Sequence, residues 1–233
     1  MMKNDFLMRN PLRQLGYGTE DILENGTFGA ILARAGLGKT AFLVQIALHT
    51  MLRDRNVLHI SLDDPVDKVT LWYQEVFNLM VQSRQAEPIP ELWDALLPHR
   101  FVMTFKVEGF SVPKLRERLT DLTEQGIFHP HTLIIDGLPF DSDIRGLLED
   151  LKTLCTEKEL RSWFTVRTHR HEEPGPDGMP PQLAGLENLF AIAMQLLPDG
   201  QDIHIRQLKG TADANQAPPL RFDPATMLIK PAN

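Results

Sequence analysis

The chain has 233 residues, with 24 basic and 31 acidic side chains and a net charge of −7, which argues against general, sequence-independent binding of nucleic acid. At 42% hydrophobic and 24% charged residues it has the composition of a globular protein, with enough chain for one α/β domain and a sizeable core. A single cysteine, Cys155, excludes an internal disulfide and fits a reducing, cytoplasmic setting, and no run approaches the roughly eighteen apolar residues of a membrane span.

Residues 1–27 have few periodic apolar positions and read as an arm or lead-in element, suited to pack on a neighbouring subunit or on its own domain. The opening Met1 to Met8 is too short and too polar for a secretion signal. Residues 28–233 read as the domain. Phe28 to Leu32 is a short apolar run, expected to form a buried strand. A glycine-bearing loop follows, and Lys39-Thr40 opens an amphipathic stretch from Ala41 to Leu52. Strand, loop and helix in this order are what a phosphate-binding loop requires, because loop N–H groups and a helix N-terminus then converge on one anion. The candidate nucleotide-binding residues are Ala33, Arg34, Ala35, Gly36, Leu37, Gly38, Lys39, Thr40 and Ala41. The pattern Gly-x-x-x-x-Gly-Lys-Thr is met except at its first place, where Ala33 stands; a methyl group fits there if φ is negative.

Val57 to Leu62 is the second expected strand, ending in Asp63-Asp64-Pro65. Asp64 is placed to cap a helix from Val66 to Gln82, with Val66, Val69, Tyr73, Val76, Phe77 and Met80 on its inner face. Pro88, Pro90 and Pro98 break the next stretch, which leaves room for a short helix from Glu91 to Leu96. Phe101 to Val107 alternates as a third strand. Ser111 is then placed to cap a helix that turns Val112, Leu115, Leu119 and Leu122 inward and ends at Gly126. His131 to Asp136 is a fourth strand that delivers an acid at its carboxyl end, and Asp143 to Glu157 is another amphipathic helix. Arg161 to Thr168 is a fifth strand, followed by a proline-rich loop from His169 to Pro181. A short helix at Leu183 to Asn188, a strand at Leu189 to Leu197, a hairpin partner at Asp202 to Leu208 and β structure from Leu220 to Lys230 complete the chain. Alternating strands and helices imply a parallel sheet covered on both faces, with an antiparallel extension and with ligands beyond the strand carboxyl ends.

Lys39 is expected to reach the β- and γ-phosphates of a nucleotide, and Thr40 and Asp136 to hold Mg²⁺ from opposite sides. Asp63 and Asp64 end the second strand, where a carboxylate can polarise the water that attacks the γ-phosphate. Asp63 is the better base, since Asp64 reads as the cap. Thr168 or His169 is a further candidate to sense the γ-phosphate. His169, His171, Glu172 and Glu173 could ligate a metal, but no strand or helix fixes their geometry and they read as a solvated loop. Cys155 reads as a packed thiol.

Together, Gly36-Leu-Gly-Lys-Thr40, Asp63-Asp64 and Leu133-Ile-Ile-Asp136 resemble the RecA/KaiC-type P-loop ATPases, and Leu208-Lys-Gly-Thr211 with Leu220-Arg-Phe222 resembles the close of a KaiC-type domain. The resemblance covers residues 26–230. It implies an α/β fold with a mostly parallel sheet flanked by helices and with antiparallel C-terminal strands, bound ATP and Mg²⁺, and Lys39, Asp63 and Asp64 in catalysis. In that family the second-strand acids are usually glutamates; the aspartates here are one methylene shorter. A family Lys-x-Arg pair that reaches a neighbour's nucleotide falls here on Gln207 and Lys209, with Arg206 on the other sheet face. The position of the 169–181 loop resembles the DNA-binding loops of RecA-like proteins, although its mixed charge is unlike a basic groove.

The resulting expectation is a Mg-ATP-binding protein with slow hydrolysis in a regulatory or motor-like role, assembled with copies of itself or with a protein partner and not with a membrane. A nucleotide-sensing switch with negligible turnover is the second reading, favoured by Ala33 and by the two aspartates. A recombination or helicase accessory protein acting on DNA is the third, and the net charge counts against it. A small-molecule phosphotransferase ranks last, because no Arg-rich lid segment is present.

Overall fold

The computed structural model describes residues 22–83, 90–175, 178–210 and 220–231. In chain order these give β1 (Phe28–Ala33), α1 (Lys39–Met51), β2 (Val57–Ser61), α2 (Val66–Gln82), α3 (Pro90–Leu96), β3 (Arg100–Thr104) and α4 (Val112–Glu124). Then follow β4 (Thr132–Asp136), α5 (Arg145–Glu157), β5 (Arg161–Arg167), β6 (Phe190–Asp199), β7 (Asp202–Lys209), β8 (Leu220–Asp223) and β9 (Leu228–Pro231).

The strands form one nine-stranded sheet in the order β3-β2-β4-β5-β1-β6-β7-β8-β9. From β3 to β6 every pairing is parallel; β6-β7, β7-β8 and β8-β9 are antiparallel. Period-two alternation along β1 splits its side chains between two cores. Phe28, Ala30 and Leu32 pack with α4 and α5 on one face. Ile31 and Ala33 pack with α1, α2 and the C-terminal strands on the other. Helix α1 is buried along nearly its whole length, which accounts for its weakly amphipathic sequence.

The described part of the lead-in packs on its own domain: Leu23 is buried, and the Gly26 N–H donates to the Leu160 carbonyl at 2.7 Å. The rest of the expected arm, residues 1–21, lies outside the described residues.

Several local expectations are corrected. Asp64 does not cap α2; Pro65 holds the cap position with no side-chain hydrogen bond, because the Asp64 carboxylate is drawn to Lys68 one turn on, at 2.8 Å. Val66 is 43% exposed rather than core, since the inner stripe begins at Val69. Ser111 holds the cap position of α4 without a side-chain bond. β3 ends at Thr104, and Val107 belongs to a short 3₁₀ turn. The expected helix at 183–188 is two 3₁₀ turns, Pro181–Leu183 and Glu187–Leu189.

Candidate nucleotide-binding site

The register of the parallel strands lines up their carboxyl ends. Ala33 on β1 lies opposite Arg167 on β5, and Ser61 on β2 lies opposite Asp136 on β4. The residues that follow these positions therefore share one edge. Ala33 is the last residue of β1, fully buried and extended, so the methyl group at the first loop position is absorbed by the core. Arg34, Ala35 and Gly36 are exposed, and residues 37–40 are half-buried.

Two glycines let the loop turn. Gly36 and Gly38 have φ of 79° and 83°, a region that side-chain-bearing residues avoid. Gly38 is also tightly covered: a Cβ there would lie 2.4 Å from the Phe222 ring. The C-terminal strands thus brace the loop from behind. Gln45 of α1 fixes that brace, donating to the Met227 carbonyl at 2.8 Å and accepting from the Ile229 N–H at 3.0 Å. The cap position of α1 is Gly38, which has no side chain to occupy the N–H groups of the first turn. With the loop open to solvent, this is a ready seat for an anion.

Lys39 folds back over the loop and donates to the carbonyls of Ala33 and Arg34 at 3.0 and 3.1 Å. Burial lowers its pKa and Arg167 lowers it further, opposed by Asp136 and Asp63. Asp136 is the polar hub. Its Oδ2 accepts from the Thr40 hydroxyl at 2.8 Å and its Oδ1 from the Thr165 hydroxyl at 2.6 Å. Thr165 Oγ1 accepts in turn from the Gly137 N–H at 3.1 Å. Burial pushes the Asp136 carboxyl above its ordinary value, while the two threonine hydrogen bonds pull the other way. A hydroxyl and a carboxylate oxygen side by side at a helix N-terminus are hard donors, and they fit a Mg²⁺ whose shell is completed by water and phosphate.

Asp63 lies against the turn after β4. A Cβ on Gly137 (φ 90°) would sit 2.7 Å from the Asp63 carboxylate, so only glycine admits this approach. Burial raises the Asp63 pKa, and Asp136 and Asp64 raise it further against the pull of Arg167 and Lys68. Asp64 points elsewhere, to Lys68, while its N–H donates to Ser61 Oγ at 2.9 Å.

Of the sequence candidates, the fold brings Lys39, Thr40, Asp63 and Asp136 to one place. It does not bring His169 there: His169 Nε2 lies 3.0 Å from Asp141 Oδ2. Thr168 continues the strand edge, its N–H donating to the Ala33 carbonyl at 3.0 Å. Two contributors escape the sequence reading. Thr165 ties Asp136 to Gly137, and Arg167 is an exposed cation whose charge acts on both Lys39 and Asp63. The signal for both is their alternate spacing at the end of the fifth strand.

Near the C-terminus, Lys209 donates to the Glu187 carbonyl at 2.6 Å and Arg206 to Gln195 Oε1 at 2.6 Å, so both are held within the domain. Thr211 lies outside the described residues. Cys155 is buried against Ser162 Oγ at 3.1 Å, and burial pushes its thiol up to about 11, in keeping with a packed thiol.

The fold is of the RecA-like α/β type, a mostly parallel sheet flanked by helices with antiparallel C-terminal strands. The chain is similar to a solved structure described as an ATPase domain, with a TM-score of 0.64, 19% identity, and cover of 91% of this chain and 86% of that one. At this identity the likeness is one of fold and does not single out the KaiC branch. No protein-family model and no curated protein matches the chain. Among the described residues no helix is long and apolar enough to cross a membrane.

Proposed function

We propose that the chain binds Mg-ATP at residues 33–41 and hydrolyses it slowly. The observation that carries this reading is the convergence of Lys39, Thr40, Asp136 and Asp63 on the mouth of an uncapped helix that follows a phosphate-type loop. The N–H groups of the loop and of the first turn of α1 receive the phosphate oxygens. Lys39 leaves its two carbonyl partners and swings onto the β- and γ-phosphates, a short move for a flexible side chain. Thr40 and Asp136 hold Mg²⁺, which when bound neutralises charge on the β- and γ-phosphate oxygens. Asp63 accepts a hydrogen bond from the attacking water and takes its proton; a raised pKa makes it a better base than an ordinary aspartate. Arg167 supplies a second positive charge beside Lys39 for the charge that develops at the γ-phosphate.

We read the biological role as regulatory or motor-like, exercised with copies of the chain or with a protein partner; the similarity to a solved ATPase domain supports this class. A DNA-acting accessory role is compatible with that similarity and disfavoured by the net charge of −7. The second reading, a nucleotide switch without turnover, draws on the shortness of Asp63.

The test is phosphate release from Mg-ATP under multiple turnover. Wild type should turn over, and Lys39→Ala should lose about a hundredfold or more. Binding by wild type without any release would establish the switch reading. Absence of binding would overturn both.

A further inference from the structure

A second polar cluster stands beside the nucleotide edge and takes no part in the reading above. It joins the loop after β4 to the loop after β5. Asp141 Oδ2 lies 3.0 Å from His169 Nε2. Glu172 Oε2 accepts from the His169 backbone N–H at 3.3 Å. One ligand-type atom from each of Asp141, His169 and Glu172 lies within 4.8 Å of the other two. Ligands spaced around one first-row ion at about 2.1 Å sit roughly 3.4 Å apart, so a closure of up to about 1.4 Å in exposed loops completes the set.

A buried amide borders the cluster. Gln182 is only 5% exposed, and its amide is wedged between the two carboxylates. Its Nε2 contacts Glu172 Oε2, and lies 3.4 Å from Asp141 Oδ1. Its Oε1 is buried with no hydrogen-bond partner among the described residues. One amide NH₂ thus serves two carboxylates, while the carbonyl end of the same group goes unused. Turning the amide over exchanges the two ends. With no cation that would set an oxygen against two carboxylates; with a cation it supplies a fourth ligand. A recess of about 220 Å³, lined by His169, Glu172 and Gln182 and bordered by Arg34, opens beside the cluster.

We propose that Asp141, His169 and Glu172, with Gln182 as the fourth donor, form a binding site for a divalent cation of the zinc class. One imidazole nitrogen with carboxylate and amide oxygens suits Zn²⁺ or Co²⁺ and is a poor set for Mg²⁺, which takes oxygen alone. The ion would cross-link the two loops two residues beyond Arg167. This site is separate from the Thr40–Asp136 pair and does not depend on the nucleotide reading.

The experiment titrates the full untagged chain, free of nucleotide, with Co²⁺ followed by Zn²⁺. The expected result is one equivalent of Co²⁺ with the visible absorption of an imidazole-ligated ion, displaced by Zn²⁺. His169→Ala and Asp141→Asn should each weaken binding at least about tenfold. Both positions are loop residues at the surface, so thermal unfolding of the metal-free variants should match wild type. Binding that survives both substitutions, that is lost in Asp136→Asn instead, or that never saturates would overturn the proposal.

Discussion

Two polar clusters sit against the same sheet and behave in opposite ways. At the carboxyl ends of the strands, Asp136 gathers Thr40 and Thr165 and lies beside Lys39, Asp63 and an open loop. Under α2, the buried His59 bonds Tyr73 through Nδ1 and the tyrosine hydroxyl at 3.1 Å, and Arg100 stacks over the Tyr73 ring at 4.9 Å and the Trp93 ring at 5.8 Å. Both are rich in titratable groups. Only the first borders an open glycine loop and a helix N-terminus, where an incoming anion can use its charges. In the second the His59–Tyr73 pair is sealed: burial, with Arg100 adding to it, lowers His59 to about 3 and keeps it neutral, and burial raises Tyr73. Perturbed titration alone therefore does not mark a site; access does.

The largest effects should fall on the open cluster. Asp63→Asn should cut phosphate release by about a hundredfold or more while leaving ATP affinity nearly unchanged, since it removes a base and not a phosphate contact. Equal turnover in mutant and wild type would reduce Asp63 to a structural neighbour of Gly137. Gly38→Ala comes next. It combines a left-handed φ with a methyl group driven into Phe222, and should cost about 1–3 kcal/mol in chemical denaturation and weaken nucleotide binding.

The sealed cluster should report through stability rather than turnover. His59 has a folded pKa below its unfolded value, so the unfolded chain binds the extra proton between about pH 6.5 and pH 3. Its neutral form stabilises fully above pH 6.5, and stability falls as the pH drops, by about 1.4 kcal/mol per pH unit and about 2 kcal/mol by pH 5. Of the charges around it, Arg100 acts in the same direction and Asp64 opposes it more weakly than burial, so the sign stands. Urea unfolding of His59→Gln across this range should lack that slope. The smallest effect is expected from Asp64→Asn, which breaks an exposed i,i+4 pair with Lys68 and should leave the urea midpoint nearly unchanged.

Sequence makes the first cluster legible and the second nearly invisible. A strand, a Gly-Leu-Gly-Lys-Thr turn and a helix are local, and Asp136 closes an apolar run, so each can be read from its neighbours. The contributions of Thr165 and Arg167 depend on β5 lying between β4 and β1, a crossover that residue order does not reveal. The pairing of His169 with Asp141 crosses 28 positions and two loops, which is why a contiguous His169–Glu173 cluster is the natural but different reading. Phe222 and Met227 brace Gly38 from the far end of the chain, a contact that no local pattern could supply. Asp64 departs from its expected role because a cap and an i,i+4 ion pair compete for one carboxylate, and Lys68 prevails.

The proposed pairing of Thr40 with Asp136 as the holders of the nucleotide's metal carries most of the mechanism. It is tested most directly by measuring ATP affinity with and without Mg²⁺ in wild type and in Asp136→Asn. Mg²⁺ should tighten ATP binding in wild type, and the mutant should lose this increment while still binding metal-free ATP. An increment of the same size in both proteins would contradict it.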